Sequence, residues 1–254
     1  ADLIIVVGQN PGTNHPRMLT ALRDAKKSGA SIISINPLIE KGMVNFKHPQ
    51  NPFEILGTGT NIADEHVRVK INGDQALFRG YAKVLIAERN QPSEFIQRYT
   101  SNFEEYKVNV EGTEWKDIAI SSGVSKEEIV RIGRIISKAK SIICCWAMGL
   151  TQHKNSVATI QEITNLLLID GNIGRKGAGL CPVRGHSNVQ GDRTVGINHN
   201  PSESFQKSLK KVFGIKPIEN TGYDSVESVK MMNAGKSSIF LSMGGNFLSA
   251  MSDT

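Results

Sequence analysis

Five consecutive apolar residues, Leu3-Ile4-Ile5-Val6-Val7, end abruptly at Gly8-Gln9-Asn10-Pro11-Gly12. A strand that is apolar at every position has no face to offer water, so it must lie in a sheet covered on both sides. An α/β fold follows from that requirement. A helix is predicted to start near Pro16, since proline suits a first helical position. Met18, Leu19, Leu22 and Ala25 share its buried face, and Gly29 ends it. Ser31 to Ile35 reads as a second buried strand, and the helical crossover makes it parallel to the first.

The pattern continues along the chain. Val67 to Ile71 reads as a strand, and Asn72-Gly73-Asp74 turns into a helix with Ala76, Leu77, Tyr81, Val84 and Leu85 on one face. Ser125-Lys126-Glu127-Glu128 has the form of a capping box, opening a helix that buries Ile129, Ile132 and Ile136. Ser141 to Trp146 is another strand, and Ser156 to Ile169 an apolar helix stopped by Gly171. Beyond it the character changes. Gly171 to Gly196 holds seven glycines and no helical period, and so long a loop in a compact domain is usually functional. Helices near Ser202 to Val212 and Ser225 to Asn233 precede a last strand, Ser238 to Met243.

Composition narrows the classes. The net charge of +6 is spread out; its tightest cluster, Lys207, Lys210 and Lys211, reads as a solvated helix face rather than a nucleic-acid stripe. No stretch approaches the roughly 18 apolar residues of a membrane helix, and no basic leader opens the chain. Cys144, Cys145 and Cys181 form no Cys-x-x-Cys to hold a metal, and they are expected to be buried thiols of a reducing, cytoplasmic protein. The first residue is not Met, and both ends fall close to strands, so a piece of a longer chain is expected.

In an open parallel sheet, ligands sit beyond the carboxyl ends of the strands. Every polar or glycine-rich cluster here follows a strand: Gly8 to His15, Asn36 to Lys41, Asn72 to Asp74 and Met148 to His153. Glycine lets backbone approach a phosphate, and the helix near Pro16 offers it free N–H groups. Asp74 suits the N–H edge of a purine such as guanine. Strand-then-Gly-x-Asn occurs twice, at Val7-Gly8-Gln9-Asn10 and Met243-Gly244-Gly245-Asn246, which suits a cofactor bound twice. The Gly-x-Gly-x-x-Gly of an ordinary NAD-dependent dehydrogenase is missing after the first strand.

The glycine-rich stretch ends in Arg184-Gly185-His186-Ser187-Asn188-Val189-Gln190-Gly191-Asp192-Arg193-Thr194. It resembles the matching stretch of the bis-molybdopterin-guanine-dinucleotide oxidoreductases, above all the formate-dehydrogenase alpha-subunit branch. The likeness covers nearly the whole chain in order. Gly8-Gln9-Asn10-Pro11 with Asn14, His15 and Pro16 resembles the family's first dinucleotide-cradling turn. Asn36-Pro37 stands where the family usually has Asp-Pro, which weakens the case for guanine recognition there. Asn72-Gly73-Asp74 resembles the turn that contacts guanine, and Trp146 to His153 the family's Trp-x-Met-Gly-x-x-Gln, whose Met148, Gly149 and Gln152 would lie beside the pterin. Gly244 and Asn246 would help hold the second dinucleotide.

The resemblance implies roles as well. Arg184 would stand at the metal centre and hold an anionic substrate. Gly185, Asn188, Gln190 and Gly191 would line the pterin. His186, where formate dehydrogenases usually have glutamine, would accept a proton beside Arg184 or hydrogen-bond the pterin. His153 is expected to pack near the pterin. The cofactor implied is molybdenum or tungsten held by bis-molybdopterin guanine dinucleotide. The family's iron–sulfur domain, its metal-ligating residue and its closing C-terminal domain lie outside these residues, so this piece alone is expected to be inactive.

The expected architecture is a Rossmann-like parallel sheet flanked by helices over residues 1–185, with an incomplete second α/β domain over 186–254 holding the other dinucleotide. The expected function is two-electron oxidation or reduction of a small substrate, formate first among them, with an electron-transfer subunit as partner. The alternative is a relative that has lost the cofactor and serves as a structural subunit of a redox complex.

Overall fold

The computed structural model describes residues 1–89, 93–187, 189–196, 201–215 and 222–251. They form two compact units, Ala1–Gly185 and His186–Thr254. The first contains, in chain order, β1 (Leu3–Val7), α1 (Pro11–Asn14), α2 (Pro16–Lys27), β2 (Ser31–Ile35), α3 (Lys41–Val44), α4 (Pro52–Leu56), β3 (Glu65–Val67), α5 (Asp74–Glu88), α6 (Glu94–Tyr99), α7 (Phe103–Glu111), α8 (Trp115–Ser122), α9 (Lys126–Lys138), β4 (Ile142–Trp146), α10 (Met148–Thr151), α11 (Ser156–Ile169) and β5 (Gly179–Pro182). The second contains α12 (Val189–Thr194), α13 (Glu203–Phe213), α14 (Ser225–Asn233) and α15 (Phe247–Ala250).

β1 is buried at every position because it is the middle strand of a five-stranded sheet of order β3-β2-β1-β4-β5, parallel throughout. Its side chains alternate between two cores. Leu3, Ile5 and Val7 pack with α5, α9 and α11, while Ile4 and Val6 pack with Leu19 and Leu22 of α2 and with Met43. The register is informative. Val7 pairs with both Ile35 and Trp146, Ile35 with Val67, and Trp146 with Pro182. All five strands therefore end on one row, and the five turns that follow emerge side by side along one edge.

Local signals explain the flanking helices. Ser125 Oγ accepts from the Glu128 N–H at 3.2 Å to cap α9, as its sequence predicts. In the second unit, Ser202 and Asp224 cap α13 and α14 in the same way.

Four expectations need correction. β3 lies at Glu65–Val67, upstream of the predicted 67–71, because its pairing with β2 ends at Val67. The glycine-rich stretch is not all loop: β5 pairs with β4, and α12 follows. Cys181 is exposed, unlike Cys144 and Cys145, because β5 is the edge strand. Residues 238–243 carry no strand. Ile239, Leu241 and Met243 stand exposed, the last at 91 %, and a strand needs a neighbour that the described residues do not provide.

Candidate functional site

At the row of strand ends, the order of the sheet reverses between β1 and β4, the place where open α/β sheets bind ligands. Two glycines meet there. Gly8 leaves β1 with φ +57°, donates its N–H to the Ile35 carbonyl at 2.9 Å and accepts from the Gly149 N–H at 3.1 Å. A side chain on Gly149 would collide with the Gly8 backbone, so only glycine lets the β1 and β4 turns come this close.

Next to this contact, the side chains form two linked groups. The Asn10 amide donates to Glu40 Oε2 at 2.6 Å while its oxygen caps α1 through the Thr13 N–H at 3.1 Å. The Asn36 amide donates to the Gln9 carbonyl at 3.3 Å and reaches Glu40 Oε1 at 3.5 Å. Glu40 thus ties the β1 and β2 turns together. It was not singled out in the sequence, where it is one more charged residue in an aperiodic loop.

The second group runs from Gln9 to Arg184. Gln9 Nε2 lies 3.4 Å from His15 Nδ1, and His15 Nε2 lies 3.0 Å from the Arg184 carbonyl. A carbonyl only accepts, so Nε2 is the ring nitrogen that donates to Arg184. Gln9 is 3 % exposed, and its Oε1 has no partner among the described residues. Buried acceptors are rarely left so, which makes this oxygen a candidate acceptor for an incoming N–H.

Asp74 opens α5 on the same edge, after Asn72 (φ +66°) and Gly73. It is 5 % exposed, and burial pushes its carboxyl up to about 6 against the opposing pull of its own N–H and of His153. A neighbouring bond, Asn155 Nδ2 to Gln75 Oε1 at 2.9 Å, joins the start of α5 to the start of α11.

The sign of the pH effect follows. The folded state holds this proton more tightly than the unfolded chain, so stability falls as pH rises from about 4 to about 6, and the full cost is present above that. A rise from 3.8 to about 6 corresponds to about 3 kcal/mol. Asp74→Asn is therefore expected to stabilise the cofactor-free protein by up to about that amount at pH 7 and by nothing at pH 4. Thermal unfolding of the full-length protein across that range is the measurement, and a gain equal at both pH values would contradict it.

The remaining candidates fall into place unevenly. Met148 and Gln152 lie exposed on either side of the α10 turn, and Gly185 packs beside the Met148 sulfur. Pro37 is half-buried; Asn14 and Arg184 are exposed. In the second unit, His186, Gln190 and Gly191 are exposed in or before α12, Gly244 has φ +69°, and Asn246 immediately precedes α15 without a side-chain capping bond. Asn188 lies outside the described residues.

Five turns aligned at a switch point, with unmet polar groups beside them, mark a candidate ligand site, and comparison with known proteins identifies the family. The model of the molybdopterin oxidoreductase family matches residues 1–254. The chain belongs to the molybdopterin oxidoreductase family. Membership implies a molybdenum or tungsten pterin cofactor.

An uncharacterized oxidoreductase of Mycobacterium tuberculosis is 45 % identical over 100 % of this molybdopterin oxidoreductase chain and 33 % of its own length. Protein YdeP of Escherichia coli is 45 % identical over 99 % of the chain and 35 % of its own length. Formate dehydrogenase H of Escherichia coli is a more distant homologue, 32 % identical over 87 % of the chain and 30 % of its own length. The chain thus spans about a third of the curated relatives it matches. Acetylene hydratase from Pelobacter acetylenicus shares the fold, with a TM-score of 0.59 and 19 % identity over 92 % of this chain and 33 % of that one. No helix among the described residues is long and apolar enough to cross a membrane.

Proposed function

We propose that the chain grips bis-molybdopterin guanine dinucleotide within a longer formate-dehydrogenase-like enzyme, which oxidises or reduces a small anionic substrate by two electrons. Formate is the leading candidate. The observation that carries this reading is the convergence on one sheet edge of the Gly8–Gly149 contact, the unmet Gln9 Oε1 and the buried Asp74 carboxyl. These residues fit the group: bare backbone for a pyrophosphate or pterin to approach, and buried acceptors for the N–H edges of pterin and guanine.

When bound, the group supplies a metal centre able to exchange two electrons with the substrate. The chain's own residues do the rest. Asp74 accepts from guanine N–H groups, and the neighbouring Asn72 and Gly73 shape that turn. Gly8, Asn10, Asn14, His15, Asn36 and Pro37 form the first cradle, while Met148, Gly149, Gln152, Gly185, Asn188, Gln190 and Gly191 line the pterin. Gly244 and Asn246 belong to the second dinucleotide. Arg184 holds the substrate's negative charge, and His186 accepts a proton or hydrogen-bonds the pterin. An electron-transfer subunit completes the cycle.

The test is metal and pterin analysis of the full-length protein. Stoichiometric molybdenum or tungsten with guanine nucleotide released on acid treatment is the expected result. A full-length protein free of metal and pterin would instead mark a structural subunit.

A further inference from the structure

The opposite edge of the sheet holds a second feature that the pterin reading does not use. There α5, α9 and α11 end together, and a cavity of about 480 Å3 opens between them and the starts of α6 and α7. That volume lies within the range of small-molecule sites. Its floor is apolar, with Ile86, Ile96, Ala139 and Ile169, and Phe103 stands at one side.

The polar lining divides into two sets. Arg89 and Arg175 serve the protein itself. Arg89 donates to the Ser137 carbonyl and Asp170 Oδ1, both at 2.9 Å, and Arg175 to the carbonyls of Gly171 at 2.8 Å and Lys140 at 2.5 Å. They satisfy a carbonyl in the last turn of α9 and carbonyls just beyond the ends of α9 and α11. Lys107, Lys138 and Lys140 are left over, since none of their ammonium groups meets an acceptor among the described residues. One acceptor lines the same cavity: the Asp170 side chain is 10 % exposed, and its Oδ2 has no partner among the described residues.

Complementing helix dipoles accounts for cations near helix ends. It does not account for a buried carboxylate oxygen left unmet among five cations, and a plain anion site would leave that oxygen unmet as well. What fits both sets is a ligand with an anionic tail for the lysines, a flat ring for the apolar floor and Phe103, and an N–H group for Asp170 Oδ2. We infer that this cavity binds a nucleoside phosphate through its base N–H edge and its phosphates, separately from the cofactor edge.

ADP is the probe, titrated calorimetrically without divalent metal into the full-length protein loaded with its own cofactor, so that the pterin side is already filled. Saturable binding is expected, weakened at least about tenfold by the Lys138→Ala/Lys140→Ala pair, since each charge-assisted bond is worth a kcal/mol or more. Both lysines are surface residues, so the fold is not at stake. Inorganic pyrophosphate should bind at least about tenfold more weakly than ADP, and Asp170→Asn should erase most of that difference. Absence of ADP binding, binding indifferent to the lysine pair, or pyrophosphate binding as tight as ADP would each overturn the inference.

Discussion

Replacing Arg184 by alanine in the full-length protein is expected to lower kcat/KM for formate by at least about a hundredfold while metal and pterin content stay near the wild-type level. The structural reason lies in which part of Arg184 does what. The backbone carbonyl anchors this segment, accepting from His15 Nε2 at 3.0 Å, and alanine keeps that carbonyl. The side chain beyond Cβ, guanidinium included, is removed. If it stabilises charge on the substrate, the loss appears in the chemical step and not in cofactor retention. Parallel loss of activity and cofactor would make Arg184 a structural residue and remove it from the catalytic assignment.

The second large effect is expected from Gly149→Ala. The added methyl would meet the Gly8 carbonyl and Cα, which are backbone and cannot swing aside. Overpacking against side chains costs about 1–3 kcal/mol, and backbone yields less readily, so a loss of about 3 kcal/mol or more is expected. For a unit of this size that is a fall of roughly 6–12 °C in Tm. The pterin should also be lost, because relieving the collision means separating the β1 and β4 turns. Gly222→Ala is the control: nothing among the described residues lies near its added methyl, and its stability should stay within about 0.5 kcal/mol of wild type. A Gly149→Ala protein with unchanged Tm and full pterin content would show that the crevice tolerates widening.

The sequence was most legible where burial leaves a periodic trace. β1, β2 and β4 are nearly unbroken apolar runs because both their faces are covered, and α5, α9 and α11 repeat apolar residues at helical spacing for the same reason. β5 could not be read this way. Gly179-Leu180-Cys181-Pro182 has no strand composition, and it is a strand only because β4 lies beside it with matching register. The short α6, α7 and α8 carried too few turns each for a period to emerge.

The same division runs through the candidate site. Gly8, Gly149 and Asp74 stood out in the sequence through their place in polar or glycine-rich clusters after strands. Glu40 was missed, since its importance comes from two asparagines that reach it from turns far apart in the chain, and no local pattern records such a meeting. Gln9 was missed likewise: a glutamine in a turn looks ordinary until its oxygen is seen to be buried and without a partner among the described residues.

The backbone contact between Gly8 and Gly149 also limits how this family member can change. Most packed pairs drift by exchange, one residue shrinking as its neighbour grows. Here a side chain on Gly149 would meet only the Gly8 main chain, which cannot shrink in return, while one on Gly8 would meet the Leu150 side chain first and the Gly149 backbone behind it. The β1–α2 half and the β4–α11 half are joined at a seam without slack, and mutations that shift one half must be absorbed within it.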